Sequence, residues 1–115
     1  MRVNEFKDLQ EFINEYDFES NIDCEKHIGI EFTYNNNYYR MCCEPLDISE
    51  FPLLENGKLG RYDVNIVHWI TDTEFEYELI GWYSDMNDLL ENCIIENKKF
   101  KDIIMDDNTE IIGKD

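Results

Sequence analysis

The sequence predicts an α+β domain: an N-terminal helix, an antiparallel β-meander of about four strands, and C-terminal helices packed on one face of the sheet. Two periodicities predict it. Apolar residues recur at helical spacing near both ends of the chain, and apolar–polar alternation fills the middle. The length of 115 residues suits one domain, 1–115, that buries a core without help from disulfides or metal.

The first helix is read over 4–16, where Phe6, Leu9, Phe12, Ile13 and Tyr16 form one stripe and Asn4 is the expected N-cap. Residues 17–21 break the pattern. Strict alternation follows, with Ile28, Ile30, Phe32 and Tyr34 on one face of a strand. Asn35-Asn36-Asn37 is turn chemistry, because Asn tolerates positive φ, and Tyr38 to Cys43 returns as a second strand. Residues 44–60 are irregular. Pro45 and Pro52 exclude a central strand there, while Asn56-Gly57 suggests a type I′ turn between two short strands.

The clearest strand pair is 62–70 with 75–83. Alternation places Tyr62, Val64, Ile66, His68 and Ile70 on one face, opposite Phe75, Tyr77 and Leu79. The other face then holds Trp69 and Trp82 beside Glu76 and Glu78. Ser84 is the expected N-cap of a helix carrying Met86, Leu89, Leu90 and Cys93. A further helical turn is expected around Phe100, Ile103 and Ile104, and an edge strand over 109–112.

Charge narrows the function. Twenty-seven acids face ten bases, for a formal net charge of −17. The excess is distributed along the whole chain, so the folded body itself is negative rather than a tail attached to it. Direct nucleic-acid binding requires Lys and Arg to replace counterions, and anionic membranes repel such a surface. The expected partner is therefore a basic protein, with no direct nucleic acid and no membrane involved; monomer and dimer both remain open. No apolar run is long enough to span a bilayer, and the first residues do not form a signal peptide, so a cytoplasmic location is expected. Cys24, Cys42, Cys43 and Cys93 lack metal-ligand spacing and are expected to be reduced thiols.

The N-terminal helix carries the most pointed candidate site. Glu5, Asp8, Glu11 and Glu15 succeed one another at helical spacing away from the apolar stripe, and Asp17 and Glu19 prolong the row. Each like-charge pair costs about 0.2–0.5 kcal/mol, tolerable against roughly 5–15 kcal/mol of total stability. Carboxylates about 5–6 Å apart at Cβ have the order of spacing of phosphates on a strand. The second candidate is the mixed face of Trp69, Trp82, Glu76 and Glu78, where aromatics would supply affinity and carboxylates steering.

Catalysis has no comparable signature. His68 reads as a core histidine, and His27 opens a strand. No nucleophile motif or Gly-rich phosphate loop is present. The run Asp106-Asp107-Asn108-Thr109-Glu110 begins like a calcium loop, but Ile111 stands where the turn glycine belongs. No enzyme activity, metal or cofactor is expected.

The C-terminal run from Leu89-Leu90-Glu91-Asn92-Cys93 through Lys98-Lys99-Phe100-Lys101-Asp102-Ile103-Ile104 resembles the endings of small proteins from phages and mobile elements of low-GC Gram-positive bacteria. Small acidic proteins of that kind include anti-CRISPR inhibitors, some of them DNA mimics. The resemblance implies a non-enzymatic inhibitor that occludes the basic groove of a host defence nuclease, such as a CRISPR effector. Two other readings fit the same composition: an immunity protein or antitoxin against a basic nuclease toxin, and a phage structural or assembly protein.

Overall fold

The computed structural model describes residues 8–16, 28–43 and 51–114. Its elements are α1 (Leu9–Tyr16), β1 (Ile28–Tyr34), β2 (Asn37–Cys43), β3 (Tyr62–Trp69), β4 (Phe75–Tyr83), α2 (Met86–Asn92), β5 (Ile94–Ile95), β6 (Lys98–Lys99), α3 (Phe100–Ile104) and β7 (Glu110–Lys114). The fold is α+β. Five strands form an antiparallel sheet in the order β4-β3-β2-β1-β7, and β5 and β6 make a separate two-stranded ribbon. The meander over β1–β4 agrees with the alternation, and the expected C-terminal edge strand is β7.

Local chemistry explains the turns. Asn35 and Asn36 have φ of 48° and 68°, both left-handed, so Tyr34 pairs with Asn37 across a type I′ turn that suits strand twist. Glu96 and Asn97 repeat the device at 51° and 67°, creating the β5–β6 ribbon in the stretch between the two helical segments, to which the sequence assigned no element. The Asn56-Gly57 turn differs from expectation. Only Gly57 has positive φ, 81°, and Gly57 N donates to Leu54 O at 3.0 Å. The loop is therefore a right-handed turn closed by a left-handed glycine, with Leu53 bridged to Leu59.

One sheet face packs against all three helices. Ile30, Phe32 and Tyr34 of β1, Tyr39, Met41 and Cys43 of β2, Tyr62 and Val64 of β3, and Tyr83 of β4 bury their side chains there. Phe100 is the hub of the helical layer. Its ring centroid lies 5.9 Å from that of Phe12 in α1 and 5.9 Å, edge-on, from that of Phe32 in the sheet. Leu89, Leu90, Ile103 and Ile104 fill the space around it.

The helix caps depart from the sequence expectations by small shifts. Asp85, not Ser84, is the N-cap of α2: its Oδ1 accepts from Asp88 N at 2.8 Å. Asp88 Oδ2 accepts in return from Ser84 N at 2.8 Å, so the acid at the third helical position decides between two good cap residues. In α1, Asp8 Oδ1 accepts from Glu11 N at 2.9 Å. The expected cap Asn4 lies outside the described residues.

Glu91 ties α2 to the ribbon and α3, accepting from Lys101 Nζ at 2.7 Å and Lys99 Nζ at 2.8 Å. Those bonds, Lys101 first, lower its pKa from the usual 4.5 to about 2. A carboxyl depressed in the fold stabilises it above the unfolded pKa and loses that contribution as pH falls through the folded value. The stability difference between wild type and Glu91→Gln should thus be constant above about pH 5 and shrink between about pH 4.5 and 2. Urea unfolding across that range checks it; a pH-independent difference would place the two lysines elsewhere.

Candidate functional site

From His68 to Leu79 every residue is exposed, although Trp69↔Phe75, His68↔Glu76, Val67↔Tyr77 and Ile66↔Glu78 are regular ladder pairs. The distal β3–β4 hairpin is therefore an arm of ordinary sheet with both faces in solvent. Its hydrogen bonds hold it together: Ile70 N donates to Glu74 O at 2.8 Å, and Thr71 Oγ1 accepts from Glu74 N at 3.0 Å.

The two faces of the arm differ sharply in chemistry because of one bulge. Val64 pairs with Gly81 but Asn65 pairs with Leu79, leaving Ile80 as the extra residue. One inserted residue moves every side chain beyond it to the opposite face. Phe75, Tyr77 and Leu79 accordingly join Trp69 on the outer face, away from the helices, while Glu76 and Glu78 share the other face with His68 and Ile66. The alternation expected the reverse: acids beside Trp69, and Phe75, Tyr77 and Leu79 beside the core.

The outer face carries a connected aromatic row. Tyr38 and Trp69 stand edge-on at 5.7 Å, Trp69 and Phe75 at 5.1 Å, and Phe75 and Tyr77 at 5.2 Å between centroids. Arg40 Nη1 donates to Tyr77 Oη at 3.2 Å, and Arg40 Nε pairs with Glu31 Oε1 at 3.6 Å. Glu31 Oε2 accepts from Tyr38 Oη at 3.4 Å, which returns the chain of contacts to the first ring. Burial first, then Glu31, holds the Tyr38 hydroxyl above its usual pKa, so it stays a donor. These contacts fix the rings, yet Trp69 remains 50%, Phe75 43%, Tyr77 48% and Leu79 53% exposed. Preset, half-exposed aromatics lose little freedom on binding, which is why they concentrate binding energy.

The opposite face and the tip are acidic. Asp72, Glu74, Glu76 and Glu78 accompany no Lys or Arg between 68 and 79. His68 corrects its expected role as a core residue: it is exposed, with Nε2 3.7 Å from Glu78 Oε1. Elsewhere cations are engaged locally. Lys58 pairs with Asp85, Lys98 with Asp106, and Lys99 and Lys101 with Glu91. Among the described residues no salt bridge reaches Asp72, Glu74 or Glu76.

The other sequence candidates divide. Trp82 shares the outer face but lies at the root of the sheet, covered by the 51–60 excursion rather than by a helix: Gly60 is buried so close that a Cβ there would come within 2.9 Å of Trp82 Cβ. Asn56 Nδ2 donates to Ser84 Oγ at 3.2 Å and Lys58 pairs with Asp85, pinning that excursion beside α2. Trp82 is thus part of the scaffold, separate from the arm. Asp8 is exposed but serves α1 as its cap, and Glu11 follows it on the same helix. The position of Glu15 on α1 is described but not its side chain; Glu5, Asp17 and Glu19 lie outside the described residues, as do Cys24 and His27.

The thiols and the apparent calcium run have structural surroundings. Cys42, Cys43 and Cys93 are buried, and burial raises Cys93 to a pKa of about 11, far from the thiolate a nucleophile needs. Asp106 Oδ1 accepts from Asn108 N at 2.8 Å, and its Oδ2 pairs with Lys98 at 3.5 Å, so this carboxylate closes a turn. Among the described residues no helix is long and apolar enough to cross a membrane. Comparison with protein-family models, curated proteins and solved structures gives no match.

Proposed function

We propose that this protein is a non-enzymatic inhibitor of the anti-CRISPR, nucleic-acid-mimic type, which occludes the basic groove of a defence nuclease by inserting its β3–β4 arm. The observation that carries the reading is the arm itself: a solvent-bathed hairpin with a preset aromatic row on one face and, on the other, carboxylates with no Lys or Arg of the arm beside them. Carboxylates offer a Lys/Arg groove the charge it normally finds in phosphates, and long-range attraction speeds encounter. The aromatic row then supplies the specificity that charge alone lacks. Acids of α1, beginning with Asp8 and Glu11, extend the negative surface.

The test is capture from a lysate of a low-GC bacterial host on the immobilised protein. A basic nucleic-acid enzyme should be retained at about 0.05 M salt, released near 0.5 M as the Debye length shrinks, and displaced by added DNA or RNA. Reversing Glu76 and Glu78 to Lys together should slow association about tenfold or more, and the same reversal at Glu11 and Glu15 reports on α1. Retention that ignores both salt and nucleic acid would defeat the proposal. The identity of the retained enzyme separates a defence nuclease from a toxin.

A further inference from the structure

We infer that the open edge of β4 is a strand-addition site for a segment with Lys or Arg at alternate positions and apolar residues between them. This rests on the proposed basic partner and specifies the backbone geometry by which that partner is held.

β4 ends the strand order, so its outer edge has no described neighbour. The register shows which groups that edge presents. Ile70 N bonds to Glu74 O, and the pairs Trp69↔Phe75, Val67↔Tyr77 and Asn65↔Leu79 alternate from there as the non-hydrogen-bonded pairs of an antiparallel ladder. The N–H and C=O groups of Phe75, Tyr77 and Leu79 therefore point away from β3, toward solvent. They form a two-residue repeat of donors and acceptors, which is what an incoming strand requires.

The side chains specify what that strand carries. Along the edge the order is Phe75-Glu76-Tyr77-Glu78-Leu79, apolar on the outer face and acidic on the other. An added strand sets each of its residues beside one of these on the same face. Cations would lie beside Glu76 and Glu78, and apolar side chains would extend the row that begins at Trp69.

The same pattern disfavours a second copy of this chain as occupant. Matching hydrogen-bonding residues in an antiparallel self-pair aligns odd positions with odd and even with even. Every such register that pairs at least two of Phe75, Tyr77 and Leu79 across the two copies sets Glu76 or Glu78 opposite another glutamate, and like charges directly opposite are destabilising. Exposed edges usually carry lysine, proline or a bulge against unwanted pairing. From Phe75 to Leu79 this edge has glutamates instead, which exclude its own kind and admit a basic strand.

The inference is tested with end-capped synthetic peptides of about eight residues, followed by Trp fluorescence and amide chemical shifts of the intact protein. An alternating Lys–Val peptide should bind, with shifts concentrated at Phe75, Tyr77 and Leu79. A non-alternating peptide of identical composition, or the alternating one with N-methyl groups on its edge-facing amides, should bind about tenfold more weakly or worse. Tyr77→Pro removes an N–H that β3 does not use, so the hairpin should persist while peptide binding is lost; Tyr77→Val, which gives up the ring but keeps that N–H, should weaken binding far less than Tyr77→Pro does. Equal binding of the alternating and scrambled peptides, or binding of neither, overturns strand addition but leaves capture of a basic enzyme to be judged separately. Alternation-dependent binding without any basic nucleic-acid enzyme captured from lysate sustains the edge and removes the inhibitor role.

Discussion

Phe100→Ala should destabilise the fold by about 3–5 kcal/mol, the range for truncating a fully buried aromatic. Phe100 is wholly buried and meets Phe12 of α1 and Phe32 of β1, so its loss opens a void where helices and sheet join. Total stability of such a domain is about 5–15 kcal/mol, and a body of charge −17 also bears self-repulsion. The urea midpoint should fall by on the order of 2 M, and at low salt part of the population should already be unfolded. A loss under about 1 kcal/mol would mean that the helical layer does not close on the sheet through this ring.

Trp69→Ala and Phe75→Ala should have the opposite profile. Both rings are about half exposed and touch mainly each other and their neighbours in the row. Folding stability should change by only about 0.5–1.5 kcal/mol, the worth of aromatic pairs. Affinity for the captured partner should drop by about 2 kcal/mol or more for each, roughly thirtyfold in Kd. Titration calorimetry against that partner, paired with urea melts, separates the two quantities. Full affinity in both variants would move the contact surface away from the arm, to α1 or the opposite end of the sheet.

Much of this architecture was legible because its periodicities are clean. The alternation of Ile28 to Tyr34, the Asn turn and the return through Cys43 translate directly into β1 and β2, and Met86, Leu89 and Leu90 mark the buried side of α2. The arm was legible as strands but not in its facing. Alternation fixes which residues share a face only while no residue is inserted, and Ile80 is inserted. The signal was local: Leu79-Ile80 sets two apolar residues side by side, and Gly81 follows, a common mark of a bulge. The exposure of the hairpin was not legible at all, since nothing in 68–79 reveals that the packed helices stop short of it. The β5–β6 ribbon was missed because Glu is an unusual occupant of the first left-handed turn position. There the Glu96 carboxylate accepts from Tyr39 Oη at 3.3 Å, a tertiary contact that holds the turn from outside.

The adjacent thiols of β2 have a use as clocks. Cys42 and Cys43 lie side by side in the middle strand of the five, and both are buried. Neighbouring residues of a strand face opposite sides of the sheet, so each thiol guards a different side of the same backbone. An alkylating reagent in a Cys24→Ser, Cys93→Ser background can reach Cys43 only by parting sheet from helices, and Cys42 only by clearing the outer face. If both are modified at one common rate, the central strand is released in a single cooperative event; if Cys42 reacts first, the outer face breathes while the core stays shut.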